Sequence, residues 1–252
     1  RLCLTYQKEY LIIGNGSNLL VSDKGISGVV IEIGKQMDEI TVDGTTIYAQ
    51  AGAMLSKTAH AALEAGLTGM EFAAGIPGCV GGAVVMNAGA YGGEMKDILK
   101  SVTVLTADGQ EKELTPGELD MSYRHSSITE EHYMVLGVTI ALEAGSQEQI
   151  RAKMEELKEK RVEKQPLEYP SAGSTFKRPE GYFAGKLIMD AGLRGFQVGG
   201  AAVSEKHCGF VINKEKATAS DVYRLIQEVQ QEVYRQFGVK LETEVKMVGD
   251  FR

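Results

Sequence analysis

The glycine-rich stretch GIPGCVGGAVVMNAGAYGGE, residues 75–94, is the part of the sequence on which the fold prediction rests. Four glycines and one proline fall within Gly75–Gly82, and Asn87–Gly93 adds three more glycines. Apolar residues separate these glycines, which is not typical of a solvated linker. Because glycine lets the main chain approach a ligand closely, the stretch predicts a buried loop that packs against a flat or phosphorylated ligand. A tight crossing of two backbones is the alternative.

A second glycine turn, Gly14-Asn15-Gly16-Ser17-Asn18, lies upstream and follows a short apolar segment. The N–H groups of such a turn can form an anion-binding nest suited to a pyrophosphate. Leu19 stands where the third glycine of GxGxxG would be, so the Rossmann fingerprint is absent. Because short glycine motifs are common, an ordinary turn between strands remains equally compatible with these residues.

Strand patterns dominate the chain before residue 145. Segments rich in β-branched residues and bounded by Gly or Asp predict strands at Tyr10–Ile13, Gly28–Ile33, Thr45–Gln50, Ser101–Thr106 and Met134–Leu142. Asp43-Gly44 and Asp108-Gly109 predict hairpin turns. One helix is predicted at about Met54–Ala65, with Gly66 as its stop signal.

Helical patterns follow, and we place a domain boundary near Gly145. The charged segment Gln147–Lys164 predicts a helix that Pro166 ends. Its narrow apolar stripe consists of Ile150, Met154 and Leu157. Its basic residues Lys158, Lys160 and Arg161 are predicted to form a solvated face.

A second amphipathic helix is predicted at Ser220–Phe237, with Ser220 as its N-cap and Gly238 as its stop. Its inward-facing residues are predicted to be Val222, Leu225, Ile226, Val229, Val233 and Phe237. The chain then ends in a predicted strand, Leu241–Val248. The pattern as a whole predicts an α+β fold.

The composition argues against several classes of protein. Hydrophobic residues make up 43% and charged residues 24%, which is ordinary for a globular chain. No secretory signal or apolar run long enough to cross a membrane is present, and a net charge of −7 argues against a nucleic-acid partner. Cys3, Cys79 and Cys208 are far apart, and the histidines lack ligand spacing, so neither a disulfide framework nor a metal site is predicted. A reducing, cytoplasmic location fits this cysteine usage.

Five motifs, taken in order, resemble the UDP-N-acetylenolpyruvoylglucosamine reductase family. They are GNGSNLL from residue 14, AGIPGCVGGAVVMNAGAYGGE from residue 74, SYRHS from residue 122, SAGSTFKRP from residue 171 and LETEVKMVG from residue 241. The compact spacing between Ser171 and Lys206 is similar to the shorter of two family types, which lacks an extra loop with a substrate-contacting tyrosine.

The resemblance implies a two-subdomain FAD-binding domain of the vanillyl-alcohol-oxidase type, at residues 1–145, and a smaller α+β substrate-binding domain, at residues 146–252. It implies non-covalent FAD held by Gly14, Asn15, Gly16, Ser17, Asn18, Ala74, Gly75, Ile76, Pro77, Gly78, Gly81, Gly82, Asn87 and Gly89. Arg1–Leu4 are similar to the tail of a helix, so we expect an upstream segment that completes the flavin site and is missing here.

The reaction implied by the resemblance is an NADPH-dependent reduction. The enolpyruvyl ether of UDP-N-acetylglucosamine enolpyruvate would become UDP-N-acetylmuramate, a precursor of peptidoglycan. The resemblance also implies a monomer. NADPH would act as co-substrate, and the nucleotide-sugar would be the partner of the second domain.

The catalytic roles are carried over from the family motifs. Ser174 would donate the proton, Arg124 would grip the substrate carboxylate at two points, and Glu244 would help to stabilise the enol-like intermediate. The residues alone favour plainer interpretations, namely a turn serine, a surface arginine and a solvent-facing strand glutamate. Cations expected at the substrate are Lys164, Lys177, Arg178 and Lys246.

Two other functions stay open on the residues. A flavin oxidase of the same superfamily would form peroxide without NADPH, and a binding module for a nucleotide-sugar would bind without turnover. The motifs around Ser174, Arg124 and Glu244 favour the reductase over the oxidase.

Overall fold

A computed structural model describes residues 2–251 and divides the chain into two compact units. The first unit comprises residues 1–16 and 28–161, and the second comprises residues 17–27 and 162–252. The helices of the described residues are α1 (Leu2–Thr5), α2 (Leu55–Glu64), α3 (Val80–Val85), α4 (Met95–Ile98), α5 (Gln147–Lys164), α6 (Ala184–Asp190) and α7 (Ala219–Phe237). Short 3-10 turns lie at Lys35–Met37 and Glu71–Ala73. Arg1, part of the predicted helix tail, lies outside the described residues.

The strands are short and are distributed over both units. Those before residue 100 are β1 (Tyr10–Ile13), β2 (Leu19–Val21), β3 (Val29–Glu32), β4 (Ile40–Asp43), β5 (Thr46–Gln50), β6 (Leu67–Thr68), β7 (Gly89–Ala90), β8 (Gly93–Glu94) and β9 (Leu99–Leu105). The others are β10 (Glu111–Leu114), β11 (Met134–Ala141), β12 (Glu143–Ala144), β13 (Gln197–Val198), β14 (Ala201–Val203), β15 (Val211–Asn213) and β16 (Lys246–Val248). Mixed helices and strands confirm the predicted α+β class.

The first unit is organised around an antiparallel five-stranded sheet in the order β10-β9-β11-β5-β4. Both predicted hairpins are present, since β4 pairs with β5 and β9 pairs with β10. Gly44 and Gly109 adopt φ values of +57° and +85° in the two turns, which glycine tolerates without a Cβ clash. Helices α2 and α3 bury Leu55, Ala59, Leu63, Val80 and Val84 in the same hydrophobic core as the sheet. Parallel strands β1 and β3 form a separate pair.

Helix α5 packs with the first unit over most of its length. Ile150 and Met154 are buried in the first core, and the division between the compact units falls after Arg161. The predicted domain boundary near Gly145 therefore lies before α5, whereas the two compact units divide near the end of that helix. The reason is the apolar stripe itself, which needs the first core to bury it.

The second unit contains α6, α7 and the antiparallel sheet β13-β14-β15. Its core collects apolar residues from these elements, including Leu187, Val203, Leu225, Val229 and Val233. The inserted segment 17–27 contributes β2, which pairs in parallel with β16 near the end of the chain. A short segment close to the start of the sequence is thus part of the unit formed by its end.

Three details of the second unit differ from the sequence prediction. The N-cap of α7 is Thr218, whose hydroxyl accepts from the Asp221 N–H, and not Ser220. Ser220 instead donates its backbone N–H and hydroxyl to Asp23, at 2.9 and 2.6 Å. Phe237, predicted to face inward, is 39% exposed, because it lies in the last turn before Gly238 ends the helix.

The third difference concerns the end of the chain. Only Lys246–Val248 form a strand, β16, whereas Leu241–Val248 was predicted. Residues 242–244 pair with the 175–177 segment through single contacts, with Phe176 opposite Thr243. Leu241 and Val245 are nevertheless buried in the second core. Their alternation with polar residues is what made the segment resemble one continuous strand.

Candidate active site

The two glycine stretches predicted to bind FAD meet within the first unit. A Cβ placed on Gly14 would clash with Cys79 Sγ, so a side chain at residue 14 would require Cys79 to move. Cys79 is buried, and its backbone pairs with Met54 at the start of α2. The first glycine turn therefore lies directly against the 75–82 loop.

Two glycines of these stretches show why that residue type is required, for opposite reasons. A Cβ on Gly81 would lie 2.9 Å from Ala51 Cβ, and the Gly81 N–H donates to Ala51 O at 2.8 Å. Gly81 thus belongs to the tight backbone crossing that was the alternative interpretation. Gly16 adopts φ +66° with open space where its Cβ would be. At residue 16 the main chain is exposed, so a ligand can reach it.

Arg161 reaches the same loop, although it was predicted to belong to a solvated helix face. Its guanidinium donates to Gly75 O, and a Cβ on Gly75 would lie 3.2 Å from Arg161 Nη1. Burial lowers the pKa of this guanidinium. Residue 161 continues the spacing of Ile150, Met154 and Leu157 by one turn, so helical periodicity could have identified it as inward-facing.

Arg124 lies in a tight turn in which Ser122 and His125 exchange backbone hydrogen bonds, each at 3.1 Å. Its φ is +55°, a left-handed conformation that costs a non-glycine residue roughly 1–2 kcal/mol. Its Nη2 donates to Gly89 O at 2.9 Å, and its guanidinium lies 5.1 Å from the Tyr123 ring centroid. The SYRHS motif is thereby joined to the 87–94 part of the glycine-rich stretch.

Asn87 connects the turn of Arg124 with the 87–94 part of the glycine-rich stretch. It is fully buried, and its Nδ2 donates both to Glu94 Oε2 and to Ser122 O, each at 2.9 Å. Its Oδ1 accepts from the Lys96 N–H at 3.0 Å. The side chain of Asn87 thus supports the turn of Arg124 from beneath, so any contact of this residue with FAD would come from its main chain.

In the second unit, residues 173–177, here called the Ser174 loop, pair with residues 242–246, here called the Glu244 segment. The Glu244 N–H donates to Thr175 O at 2.8 Å, and the Lys177 N–H donates to Glu242 O at 2.9 Å. Gly173, next to Ser174, adopts φ +82° with open space around its missing side chain. Two predicted catalytic residues, more than sixty positions apart in sequence, are thus held on adjoining backbone segments.

Thr175, which sequence reasoning did not select, fixes this pairing. It is buried; its hydroxyl accepts from the Val211 N–H at 2.9 Å, and its own N–H donates to Gly209 O at 2.9 Å. Gly209 in turn donates its N–H to His207 Nδ1 at 3.1 Å. Burial lowers the pKa of His207, which favours the neutral ring that this acceptor role requires. No spacing rule in the sequence indicates these partners.

Asn18, from the first glycine turn, also reaches the Glu244 segment. Its Nδ2 donates to Glu244 O at 3.1 Å, and its main-chain oxygen accepts from the Lys246 N–H at 2.9 Å. By contacts, Ser17 and Asn18 belong to the second unit, whereas Gly14, Asn15 and Gly16 belong to the first. The turn predicted to be one cofactor loop is therefore divided between the two units.

The predicted substrate cations are distributed unevenly around these segments. Lys177 pairs with Glu242 at 3.3 Å, and the Arg178 guanidinium lies 4.4 Å from the Phe183 ring centroid. Lys246 begins β16 beside Asn18, and its side chain is exposed. Lys164 is the exposed last residue of α5. The structure brings Lys177 and Lys246 to the Glu244 segment.

Comparison with known proteins identifies the origin of this arrangement. Residues 165–248 match the family described as UDP-N-acetylenolpyruvoylglucosamine reductase, C-terminal domain, and residues 1–115 match the FAD binding domain family. The chain is 63% identical over 252 residues to the UDP-N-acetylenolpyruvoylglucosamine reductase of Agathobacter rectalis, covering 95% of this chain and 80% of that protein. The chain belongs to the UDP-N-acetylenolpyruvoylglucosamine reductase family.

Two further relatives of the family agree. The UDP-N-acetylenolpyruvoylglucosamine reductase of Clostridium perfringens strain 13 is 55% identical over 249 residues, which is 99% of this chain and 82% of that protein. The crystal structure of the UDP-N-acetylenolpyruvylglucosamine reductase from Thermus caldophilus superposes with a TM-score of 0.86 at 38% identity, over 98% of this chain and 88% of that one. The expected fold, with an FAD-binding domain followed by the family's C-terminal domain, is confirmed.

The glycine stretches of this chain suit the FAD that the family binds. Both lie within residues 1–115, and Gly16 and Gly82 leave open or ordinary van der Waals space where a side chain would be. Main chain can therefore approach a flat ring or a pyrophosphate at these two positions, while Gly14 and Gly81 are occupied by packing within the protein. Among residues 2–251 no group of three or more metal-ligating side chains occurs, and no helix is long and apolar enough to cross a membrane.

Proposed function

We propose that this chain reduces UDP-N-acetylglucosamine enolpyruvate to UDP-N-acetylmuramate with NADPH, using non-covalent FAD. The observation that carries the proposal is the pairing of the Ser174 loop with the Glu244 segment, within a chain that belongs to the reductase family. When bound, FAD would supply the hydride-transfer chemistry that connects NADPH to the terminal carbon of the enolpyruvyl group. The chain's own residues must hold the substrate, stabilise the developing charge and deliver one proton.

Arg124 is proposed to bind the carboxylate of the enolpyruvyl group. As hydride arrives at the terminal carbon, negative charge spreads onto that carboxylate, and a guanidinium can meet both oxygens with parallel N–H donors. Its bond to Gly89 O and its place over Tyr123 fix the direction of the side chain. A φ of +55° is unfavourable for arginine. Its presence in this turn therefore indicates a chemical role and not a turn propensity.

Ser174 is proposed to donate a proton to the carbon that bears the carboxylate, which completes the lactyl ether. A serine hydroxyl is a weak acid, so it must be positioned and its charge stabilised. Ser174 is partly exposed, Gly173 before it has open space where a side chain would be, and the buried Thr175 after it fixes the backbone. Glu244, held on the adjoining segment, is proposed to stabilise the enol-like intermediate during this transfer.

The diphosphate of the nucleotide-sugar is proposed to meet cations of the second unit. Lys177 and Lys246 lie on the two paired segments, of which one carries Glu244. Arg178 is the residue after Lys177. Lys164 is proposed as a further contact on sequence resemblance. The proposed FAD contacts are, in chain order, Gly14, Asn15, Gly16, Ser17, Ala74, Gly75, Ile76, Pro77, Gly78, Gly81, Gly82, Asn87 and Gly89.

We further propose that the enzyme acts as a monomer in the cytoplasm, in peptidoglycan precursor synthesis. Residues 1–145 are proposed to serve FAD, and residues 146–252 to serve the substrate. A net charge of −7 opposes binding to nucleic acid, and the small polar substrate requires no membrane association.

The test is NADPH oxidation by the FAD-supplemented protein, with and without UDP-N-acetylglucosamine enolpyruvate. Oxidation that depends on the enolpyruvyl substrate, with one lactyl ether formed per NADPH, is the expected result. Peroxide formation driven by a sugar or alcohol without NADPH would instead identify the oxidase alternative. Tight substrate binding by a yellow protein without turnover would identify the binding-module alternative.

A further inference from the structure

We infer that Asn18 is a positioning residue for Glu244, and that its side-chain amide acts on catalysis through the Glu244 backbone. The inference rests on the proposed function, in which Glu244 stabilises the intermediate. It assigns to a residue of the glycine turn a role in the substrate-reducing step that differs from cofactor binding.

Glu244 is held through both of its peptide groups. Its N–H donates to Thr175 O at 2.8 Å, and its carbonyl oxygen accepts from Asn18 Nδ2 at 3.1 Å. The first bond ties it to the Ser174 loop, and the second ties it to a residue 226 positions away in sequence. With both peptide groups fixed, the direction of the Glu244 side chain from its Cα is fixed as well.

The rest of the contact between these segments does not depend on the Asn18 side chain. Strands β2 and β16 pair through Leu19–Val21 and Lys246–Val248, and the Ser22 N–H continues the pairing to Val248 O at 2.9 Å. Beyond the strands, Lys24 pairs with Asp250 at 2.9 Å. The Lys246 N–H bonds to the main-chain oxygen of Asn18, which any residue supplies. Removing the side-chain amide therefore removes the bond to Glu244 O and leaves the main-chain ladder in place.

The experiment compares Asn18→Ala with the control Lys24→Ala, which removes an exposed ion pair on the same ladder. Flavin reduction by NADPH and flavin reoxidation by the enolpyruvyl substrate are measured separately, together with FAD affinity. Deuterium uptake of the peptide spanning residues 241–248 is followed in the same proteins. This last measurement reports on the segment whether or not the enzyme turns over.

For Asn18→Ala we expect slower reoxidation by substrate, up to about 100-fold, since a displacement of about 1 Å can cost a catalytic group that much. Flavin reduction by NADPH and FAD affinity should match the control, and deuterium uptake around Glu244 should rise. Unchanged uptake around Glu244 would overturn the inference. Loss of FAD with equal slowing of both half-reactions would overturn it too, and would make Asn18 a cofactor ligand.

The proposed function can fail independently. If Glu244→Gln reoxidised at the wild-type rate, the role proposed for Glu244 would be wrong, while raised deuterium uptake in Asn18→Ala would still support the positioning contact.

Discussion

The two units hold their proposed catalytic residues by different means. In the first unit, Arg124 lies on a turn supported by the buried side chain of Asn87, which also bonds to Glu94. In the second unit, Ser174 and Glu244 lie on segments joined by main-chain bonds, and the side chain of Asn18 adds one bond. Support by side chains depends on particular residue types, whereas main-chain pairing is compatible with many residue types. Substitutions beneath Arg124 should therefore affect folding, and substitutions beside Glu244 should affect turnover.

Glu244→Gln tests the proposed catalytic carboxyl group of the second unit. Glu244→Gln keeps the backbone pairing and removes the carboxyl group, so substrate reduction should fall by roughly 100-fold or more, the usual scale for a group that stabilises transition-state charge. Glu242→Gln is the matched control, because Glu242 is two residues away and pairs with Lys177 at the surface. Steady-state NADPH oxidation measures both. Equal activity of the two variants would exclude the proposed role of Glu244.

Arg124→Lys tests the corresponding residue of the first unit. Lysine keeps the charge but loses the two-point grip on a carboxylate, so we expect kcat/KM for the enolpyruvyl substrate to fall on the order of 100-fold. The rate of flavin reduction by NADPH should be preserved. Arg151→Lys, at an exposed position of α5, serves as the control. Unaltered kcat/KM in Arg124→Lys would show that no carboxylate is held there.

The support of the two units can be compared by stability. Asn87→Ala leaves the Lys96 N–H and Ser122 O without their buried partner, which should cost about 1–3 kcal/mol for each unsatisfied group. Asn18→Ala leaves the β2–β16 ladder intact and should cost less. Urea unfolding of both variants gives the difference. A larger loss for Asn18→Ala would reverse the comparison.

The glycines of α3 offer a matched pair in neighbouring positions. Gly81→Ala brings a methyl group within 2.9 Å of Ala51 Cβ and should destabilise the fold by about 1–3 kcal/mol. Gly82→Ala meets only Cys79 Sγ, at 3.7 Å, and should be neutral or stabilising by up to about 1 kcal/mol. Thermal unfolding checks this order. Because the space at Gly82 is proposed for FAD, Gly82→Ala should also weaken FAD binding, which flavin fluorescence titration measures.

A weak pH dependence is expected for the free energy of unfolding, through Glu94 of the first unit. Burial raises the pKa of Glu94, but hydrogen bonds from Lys96 and Asn87 and the charges of Lys96 and Arg124 outweigh it, so the pKa lies below 4.5. The folded state therefore holds this proton less tightly than the unfolded state, and the resulting stability is lost as pH falls below 4.5. Glu94→Gln should be less stable at neutral pH and should lose less stability on acidification. An unchanged pH slope in urea unfolding would contradict this.

Local signals in the sequence determined much of the fold. The Asp-Gly turns at residues 43 and 108 define two hairpins because only a few residue pairs suit such turns. Gly238 ends α7 at φ +68°, as expected of a C-terminal glycine. The glycine-rich loops could be located for the same reason, since each reports a local backbone requirement.

Long-range contacts account for what the sequence did not reveal. Ser220 appeared to cap α7, but Asp23 engages it from 197 positions away, and Thr218 caps the helix instead. The terminal strand was predicted too long because residues 242–244 pair with the Ser174 loop. Asn87 and Gly81 were predicted from the motif as FAD contacts, and the structure shows in addition that both support the glycine loops by packing within the protein. No spacing in the sequence indicates this packing.

The role of Ser174 is tested by following flavin absorbance in Ser174→Ala through two successive mixes. NADPH should bleach the flavin at the wild-type rate, because Ser174 has no proposed part in that step. Addition of the enolpyruvyl substrate should then restore the absorbance of the oxidised flavin about 100-fold or more slowly than in the wild type. General acid catalysis typically contributes that much to a rate. Restoration at the wild-type rate would contradict the claim that the Ser174 loop and Glu244 segment carry out substrate reduction.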